Sequence, residues 1–137
     1  MGNNMKKILF VCAENAGRSQ MAEAFFNRYA QEKGLNWIAE SYGTIPAKEV
    51  NPRIIEAMRE KGIDLISAKP RRFVPEKIRE YERVVSFGCL VKTAFNPDVQ
   101  KRIEEWHIDD PSDKSLEEIK KIRDDVENKV VNLIKSL

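Results

Sequence analysis

Residues 8–19 read ILFVCAENAGRS, a short apolar run followed by small and polar residues. The run does not alternate with polar residues, which is typical of a strand buried on both faces of a parallel sheet. From residue 19 to residue 33, apolar side chains recur at steps of three and four, which predicts an amphipathic helix ending before Gly34. Together these segments predict a strand, a tight loop and a helix.

Strands and helices are predicted to alternate along the rest of the chain. The strands fall at residues 8–12, 37–42, 83–88 and 107–108. The helices fall at residues 19–33, 52–62 and 76–81, as a short helix or turn at 99–106, and from Ser115 onward. Asn51 before Pro52, and Ser115 with Glu118 three residues later, are typical signals for a helix start. This alternation predicts an α/β fold, with a parallel sheet and helices on both faces.

The composition limits the class of protein. A length of 137 residues fits one domain, which we assign to residues 1–137. Lys and Arg total 24 against 22 for Asp and Glu, an excess too small to predict nucleic-acid binding. Two cysteines are too few for a disulfide scaffold and favour a reducing cytoplasm. The longest apolar run near the N-terminus is too short to cross a membrane, so we expect a soluble protein.

Chemically useful residues follow three of the predicted strands. Cys12 comes after the first strand, Gly88 and Cys89 after the third, and Asp109 and Asp110 after the fourth. The carboxyl ends of parallel strands meet at one edge of a sheet, where ligands bind in such folds. We therefore expect these residues to converge on one site.

The loop after Cys12 has the length and composition to bind one tetrahedral oxyanion. Its backbone N–H groups can form an anion-binding nest, and the N-terminus of the next helix adds its positive end. Arg18 can hold two oxygens bidentately. The residues predicted to bind the oxyanion are Ala13, Glu14, Asn15, Ala16, Gly17, Arg18 and Ser19. The same groups stabilise a thiolate on Cys12, which predicts nucleophilic attack on phosphorus or arsenic.

A proton donor for the leaving oxygen is the next group that this chemistry requires. Asp110, which precedes Pro111 and is thereby held in an extended conformation, is the candidate, and Asp109 is its competitor. The structural alternative for this pair is an ordinary Asp-Pro turn. Because the pair follows a strand at the edge that carries Cys12, we assign the general acid to Asp110.

The remaining candidates also have structural interpretations. Cys89 is either a core thiol or the group that attacks a Cys12 adduct and leaves a Cys12–Cys89 disulfide. His107 is assigned a structural role, because no metal-ligand spacing surrounds it. Arg71 and Arg72 are interpreted as a solvated loop edge rather than as an anion-attracting rim.

These residues resemble the low-molecular-weight protein tyrosine phosphatase superfamily, and most closely its thiol-coupled arsenate reductase branch. Residues 12–19 match the family's Cys-x5-Arg-Ser loop, and further matches fall at 41–43, 51–58, 62–64, 84–86 and 106–111. The resemblance implies a flavodoxin-like, three-layer domain with a four-stranded parallel sheet. It also implies Cys12 as nucleophile, Arg18 as oxyanion clamp and Asp110 as general acid. In the reductase branch a second cysteine releases arsenite, and the resulting disulfide passes to a third cysteine or a small thiol.

The chain also departs from the pattern of that family. Glu14 stands where the family usually has glycine. Only Cys89 matches a downstream redox cysteine, so an external reductant, thioredoxin-like or a small thiol, has to reopen a disulfide. Three residues match positions that bind potassium in some reductases: Asn15, Glu23 and Ser41. Arg72 stands where an aspartate would complete that site, so we predict neither a bound metal nor a bound cofactor.

Three functions remain as hypotheses. The first is a monomeric arsenate reductase that uses Cys12 and Cys89. The second is a phosphatase acting on phosphate monoesters, for which phosphotyrosine is disfavoured because no aromatic residue directly follows Pro111. The third is a non-catalytic module that binds anions or senses redox state through its two cysteines.

Overall fold

A parallel four-stranded sheet forms the centre of the structure, a computed structural model that describes residues 5–137. The strands are β1 Lys6–Cys12, β2 Trp37–Gly43, β3 Arg83–Ser86 and β4 Ile103–Glu105. They lie in the order β2-β1-β3-β4, and every neighbouring pair is parallel. The predicted α/β fold with four parallel strands is therefore confirmed, and the strand order is that of flavodoxin-like sheets.

Helices connect the strands, and local signals fix where two of them begin. The α-helices are α1 Arg18–Glu32, α2 Pro52–Arg59, α3 Pro97–Gln100 and α4 Leu116–Lys135, and 3-10 helices cover Pro75–Glu80 and Lys92–Ala94. The Asn51 side chain accepts a hydrogen bond from the amide of Arg53, as an N-cap does. Ser115 and Glu118 form both bonds of a capping box. No helix within residues 5–137 is long and apolar enough to span a bilayer.

Both faces of the sheet are covered, which explains the unbroken apolar run in β1. Ile8 and Phe10 belong to the larger core, which α1, α2 and α4 build on one face. Leu9 and Val11 belong to a smaller core on the other face, and the side chains that cover it include Phe73, Ile78, Tyr81 and Val99. These four of the seven side chains of β1 are fully buried. Burial of each such side chain contributes about 1.5–3 kcal/mol, so β1 anchors the fold.

The fourth strand lies earlier in the chain than the sequence predicts. The prediction of a helix or turn over residues 99–106 and a strand at 107–108 is wrong, because the one-turn helix α3 ends at Gln100 and, after a two-residue turn, β4 covers Ile103–Glu105. β4 is an edge strand, and only Ile103 of its three residues is buried. Its other residues are glutamates, which an edge strand tolerates, so no strand pattern is visible in the sequence. The segment after β4 still carries Asp109 and Asp110 at the carboxyl end of the sheet.

Candidate active site

The loop between β1 and α1 turns its carbonyl groups outward. Five of them accept hydrogen bonds from backbone amides: Cys12 from Thr44, Ala13 from Ile45, Glu14 from Ala47, Ala16 from Asn51 and Gly17 from Met21. Asn15 makes this curvature possible because its φ of 53° is in the left-handed region that asparagine tolerates. With the carbonyls engaged elsewhere, the N–H groups of the loop can point at an anion in its centre.

Cys12 lies at the base of this loop and is almost fully buried. Its sulfur accepts a hydrogen bond from the amide of Asn15 at 3.2 Å. It also lies 2.9 Å from the hydroxyl of Ser19, in the first turn of α1. Donors of this kind, next to a helix N-terminus, stabilise a thiolate. The arrangement suits a nucleophile that works in its ionised form.

Asn15 links the loop to β2 and α1 through its side chain. Its Nδ2 donates to the hydroxyls of Ser19 at 2.7 Å and Ser41 at 3.0 Å. Its Oδ1 accepts from Gln20 Nε2 at 3.1 Å and from the backbone amide of Arg71 at 2.9 Å. Because Ser19 already accepts from Asn15, its own hydrogen is free for the sulfur of Cys12. Sequence reasoning missed Gln20 and Arg71, since no local pattern marks them as neighbours of the loop.

Arg18 is held in place by contacts with the segment after β4 and with Phe87. Its Nη1 donates to the carbonyl of Ile108 at 3.1 Å. Its guanidinium carbon lies 5.8 Å from the centroid of the Phe87 ring, within range of a cation–π contact. The other guanidinium N–H groups are left for an oxyanion, which a planar fork can bind bidentately. The anchoring carbonyl belongs to the segment that carries the aspartates, so Arg18 connects the two parts of the site.

A cavity of about 70 Å³ brings most of the predicted residues together. Its lining residues are Cys12, Ala13, Glu14, Ala16, Gly17, Arg18, Asn51, Asp110, Pro111 and Ser112. Asp109 is not among them, and Asn15 and Ser19 lie behind the wall, in contact with Cys12. Within residues 5–137, no aromatic side chain lines this cavity.

Asp110 is held as a carboxylate in this cavity. Its Oδ1 accepts a hydrogen bond from the amide of Ser112 at 2.9 Å. This backbone hydrogen bond is the main cause that lowers the pKa of Asp110 below its ordinary value, and the positive charge of Arg18 acts in the same direction. Asp110 therefore enters any reaction ionised and has to gain a proton before it can act as an acid.

Cys89 lies beside the end of β1, after β3. Its sulfur donates a hydrogen bond to the carbonyl of Val11 at 3.3 Å and lies 3.9 Å from the hydroxyl of Ser86. Burial is the main cause that raises the pKa of the Cys89 thiol, and the charge of Cys12 raises it further. Both cysteines are free thiols in this structure. The second thiol thus packs against the residue that precedes the first.

The other candidates lie outside the cavity. His107 is exposed and is not a lining residue. Arg71 is exposed, as the interpretation as a solvated loop residue predicts, but its guanidinium also lies 3.5 Å from the carboxylate of Glu23 and its backbone amide binds Asn15. Within residues 5–137, no group of three or more His, Cys, Asp or Glu side chains is arranged to hold a metal ion.

Known proteins are similar to this chain in sequence and fold. Residues 7–137 match the family described as "Low molecular weight phosphotyrosine protein phosphatase". A glutaredoxin arsenate reductase of Synechocystis sp. is 35% identical over 131 residues, which cover 95% of this chain and 97% of the relative. An arsenate reductase 2 of Staphylococcus saprophyticus is 37% identical over 132 residues, which cover 91% and 93%. A solved arsenate reductase in the phosphate-binding state is 33% identical with a TM-score of 0.80, and the match covers 96% and 98%.

Proposed function

The chain belongs to the low molecular weight phosphotyrosine protein phosphatase family, and from this membership we propose that it is an arsenate reductase working through Cys12 and Cys89. The observation that carries the proposal is the position of the second thiol: the sulfur of Cys89 lies 3.3 Å from the carbonyl of Val11, next to Cys12 in the chain. Relatives named arsenate reductase, at 35–37% identity, support the same assignment.

In the first step, the thiolate of Cys12 attacks the arsenic of bound arsenate. The loop amides and Arg18 bind its oxygens, and a sulfur–arsenic bond forms as one oxygen leaves. That oxygen takes up protons and leaves as water, with Asp110 as the final donor. Asp110 is ionised in the free enzyme, so its proton has to come from solvent or from a protonated form of arsenate, and the negative charge of bound arsenate favours the neutral carboxyl.

In the second step, the thiolate of Cys89 attacks the sulfur of Cys12. A disulfide forms, the electron pair of the sulfur–arsenic bond stays on arsenic, and arsenic is reduced from the +5 to the +3 state. Arsenate and two thiols thus yield arsenite, water and one disulfide. The chain has only two cysteines, so two electrons from an external thiol, glutaredoxin-type, thioredoxin-like or a small thiol, have to reopen the disulfide.

The proposed chemistry also requires that the enzyme work in a reducing compartment. Turnover requires Cys12 and Cys89 to be returned to free thiols, which a reducing cytoplasm favours. The chain supplies the nucleophile, the clamp and the acid from its own residues, so we propose that a monomer is sufficient.

Paired turnover of arsenate and of an aryl phosphate tests the function. Arsenite release by the wild type, measured with glutaredoxin and with a small thiol as reductant, is expected to collapse in Cys89→Ser. Cys12→Ser, the matched control, should lose both activities. If Cys89→Ser reduces arsenate at the wild-type rate, the two-cysteine mechanism is wrong.

A second candidate function is hydrolysis of small phosphate monoesters. It is supported by the shared cavity of Cys12, Arg18 and Asp110, which holds a nucleophile, an anion clamp and an acid for the leaving alcohol. The cavity offers no aromatic side chain to a phenol ring within residues 5–137, so we propose a non-aromatic ester as the better substrate. This activity would survive the Cys89→Ser substitution.

A further inference from the structure

Arg71, in the segment between α2 and the 3-10 helix Pro75–Glu80, contacts the oxyanion loop through its backbone, and β2 and α1 through its side chain. Its amide donates to Asn15 Oδ1 at 2.9 Å, and its carbonyl accepts from the amide of Gly43 at 2.7 Å. Its Nη2 donates to the carbonyl of Ser41 at 3.2 Å and lies 3.5 Å from Glu23 Oε1. The guanidinium therefore lies where β2 and α1 meet behind the loop.

The side chains between Arg71 and Cys12 form one directed series of hydrogen bonds. Glu23 accepts the hydroxyl hydrogen of Ser41 at 2.6 Å, so the oxygen of Ser41 is left to accept from Asn15. The side-chain Nδ2 of Asn15 donates its other hydrogen to the hydroxyl of Ser19. That hydroxyl lies 2.9 Å from the sulfur of Cys12. Asn15, Ser19 and Ser41 are all fully buried, so water does not replace these partners.

We propose that Arg71 is a positioning residue: its guanidinium holds Glu23 and Ser41 in the arrangement that fixes Asn15, and thereby the shape of the oxyanion loop. The proposal rests on the oxyanion-binding role of the loop given above. It does not depend on whether arsenate or a phosphate ester is the substrate. The function of Arg71 is thus electrostatic and local, and it acts on the substrate only through other residues.

The charge of Arg71 matters because Glu23 lies in a poorly solvated place. Burial is the main cause that raises the pKa of Glu23, and nearby Glu40 on β2 adds to it. The hydrogen bond from Ser41 and the charge of Arg71 lower that pKa. Without the guanidinium, the carboxylate of Glu23 and the carbonyl of Ser41 lose the donor that they share. Ser41, and the Asn15 side chain that donates to it, are then held less firmly.

The test compares Arg71→Ala with Arg72→Ala. Arg72 is adjacent, exposed and of the same charge, and no ion pair joins it to Glu23 within residues 5–137. Binding of inorganic phosphate is measured by calorimetry at neutral pH. Arg71→Ala should weaken binding about fivefold, the upper end of what a largely exposed ion pair contributes. Arg71→Lys should restore part of the affinity, and Arg72→Ala should stay within about twofold of the wild type.

A second pair of variants keeps the proposal falsifiable if Arg71→Ala folds poorly. In a Glu23→Gln background there is no charge for Arg71 to balance, so adding Arg71→Lys or Arg71→Ala should change phosphate binding very little. Equal losses for Arg71→Ala and Arg72→Ala, or additive effects with Glu23→Gln, would overturn the proposal. A wild type that binds phosphate but does not reduce arsenate refutes the proposed function alone, whereas one that binds no phosphate refutes both.

Discussion

At the scale of single residues, the protonation state of Asp110 decides how the site can work. A general acid has to carry a proton, yet the amide of Ser112 and the charge of Arg18 hold the pKa of this carboxyl below its ordinary value. The free enzyme therefore carries Asp110 as an anion at neutral pH. As pH rises, fewer complexes contain the protonated acid, so turnover of substrates with poor leaving groups should fall on the alkaline side.

Asp110→Asn should slow hydrolysis of an alkyl phosphate monoester by roughly a hundredfold or more, because an alkoxide is a poor leaving group and general acid catalysis typically contributes 10²–10⁴-fold. The alkaline fall in rate should also weaken, since the titrating acid is gone. Steady-state rates between pH 5 and pH 9 measure both effects. Asp109→Asn is the matched control and should stay within a few-fold of the wild type. A larger loss in Asp109→Asn than in Asp110→Asn would mean that the acid is misassigned.

The rate of the disulfide-forming step should rise with pH, because Cys89 has to be deprotonated before it can attack. Burial raises the pKa of this thiol, so the attacking thiolate is a small fraction at neutral pH and grows about tenfold per pH unit below that pKa. Single-turnover formation of the Cys12–Cys89 disulfide after mixing with arsenate, followed by mass spectrometry, measures the step. Cys12→Ser should give no disulfide. A rate that stays constant from pH 6.5 to pH 8.5 would show that Cys89 deprotonation does not limit it.

At the scale of secondary-structure elements, the oxyanion loop depends on how closely the end of β2 approaches it. A Cβ atom on Gly43 would lie 2.7 Å from the carbonyl oxygen of Ala13 and 2.9 Å from the Cβ of Asn15. These atoms belong to backbone or to a fully buried side chain, so they cannot move aside easily. Glycine at this position thus allows β2 to pack directly against the loop.

Gly43→Ala should therefore damage the site and the fold together. We expect phosphate affinity to fall at least tenfold and stability to fall by about 1–3 kcal/mol, as overpacking typically does. Calorimetric binding and urea unfolding are the measurements. Gly34→Ala is the matched control: Gly34 has a φ of 66° but nothing within 4 Å of an added Cβ, so it should lose only about 1 kcal/mol and bind phosphate normally. Equal binding by both variants would contradict the proposed close packing.

At the scale of the whole molecule, short-range features were predictable from the sequence and long-range ones were not. The β1–loop–α1 segment follows from one apolar run and one helical period, and the start of α4 from Ser115 and Glu118. The sequence pattern predicts the fourth strand too late in the chain, because an edge strand needs little apolar surface. The contacts of Asn15 with Ser41 and Arg71, and of Arg18 with Ile108, join residues far apart in sequence. Such contacts depend on the packing of the complete sheet, which no local pattern encodes.

The same long-range contacts should couple oxyanion binding to the stability of the entire fold. The loop is held by β1, α1, residues 44–51, Arg71 and the segment after β4, so a competent site exists only in the folded chain. A ligand that binds only the folded state at 100 times its Kd stabilises it by about 2.7 kcal/mol. Phosphate should then raise Tm by roughly 5–10 °C.

Scanning calorimetry with phosphate, against sodium chloride at equal ionic strength, measures this coupling. Cys12→Ser should keep most of the shift, because binding does not require the covalent step, whereas Arg18→Ala should lose it with the clamp. A shift that sodium chloride reproduces, or that survives in Arg18→Ala, would mean that phosphate stabilises the protein without occupying the loop. Since the site draws on elements far apart in the chain, a shift specific to phosphate and lost in Arg18→Ala would show that the loop binds the anion only in the folded protein.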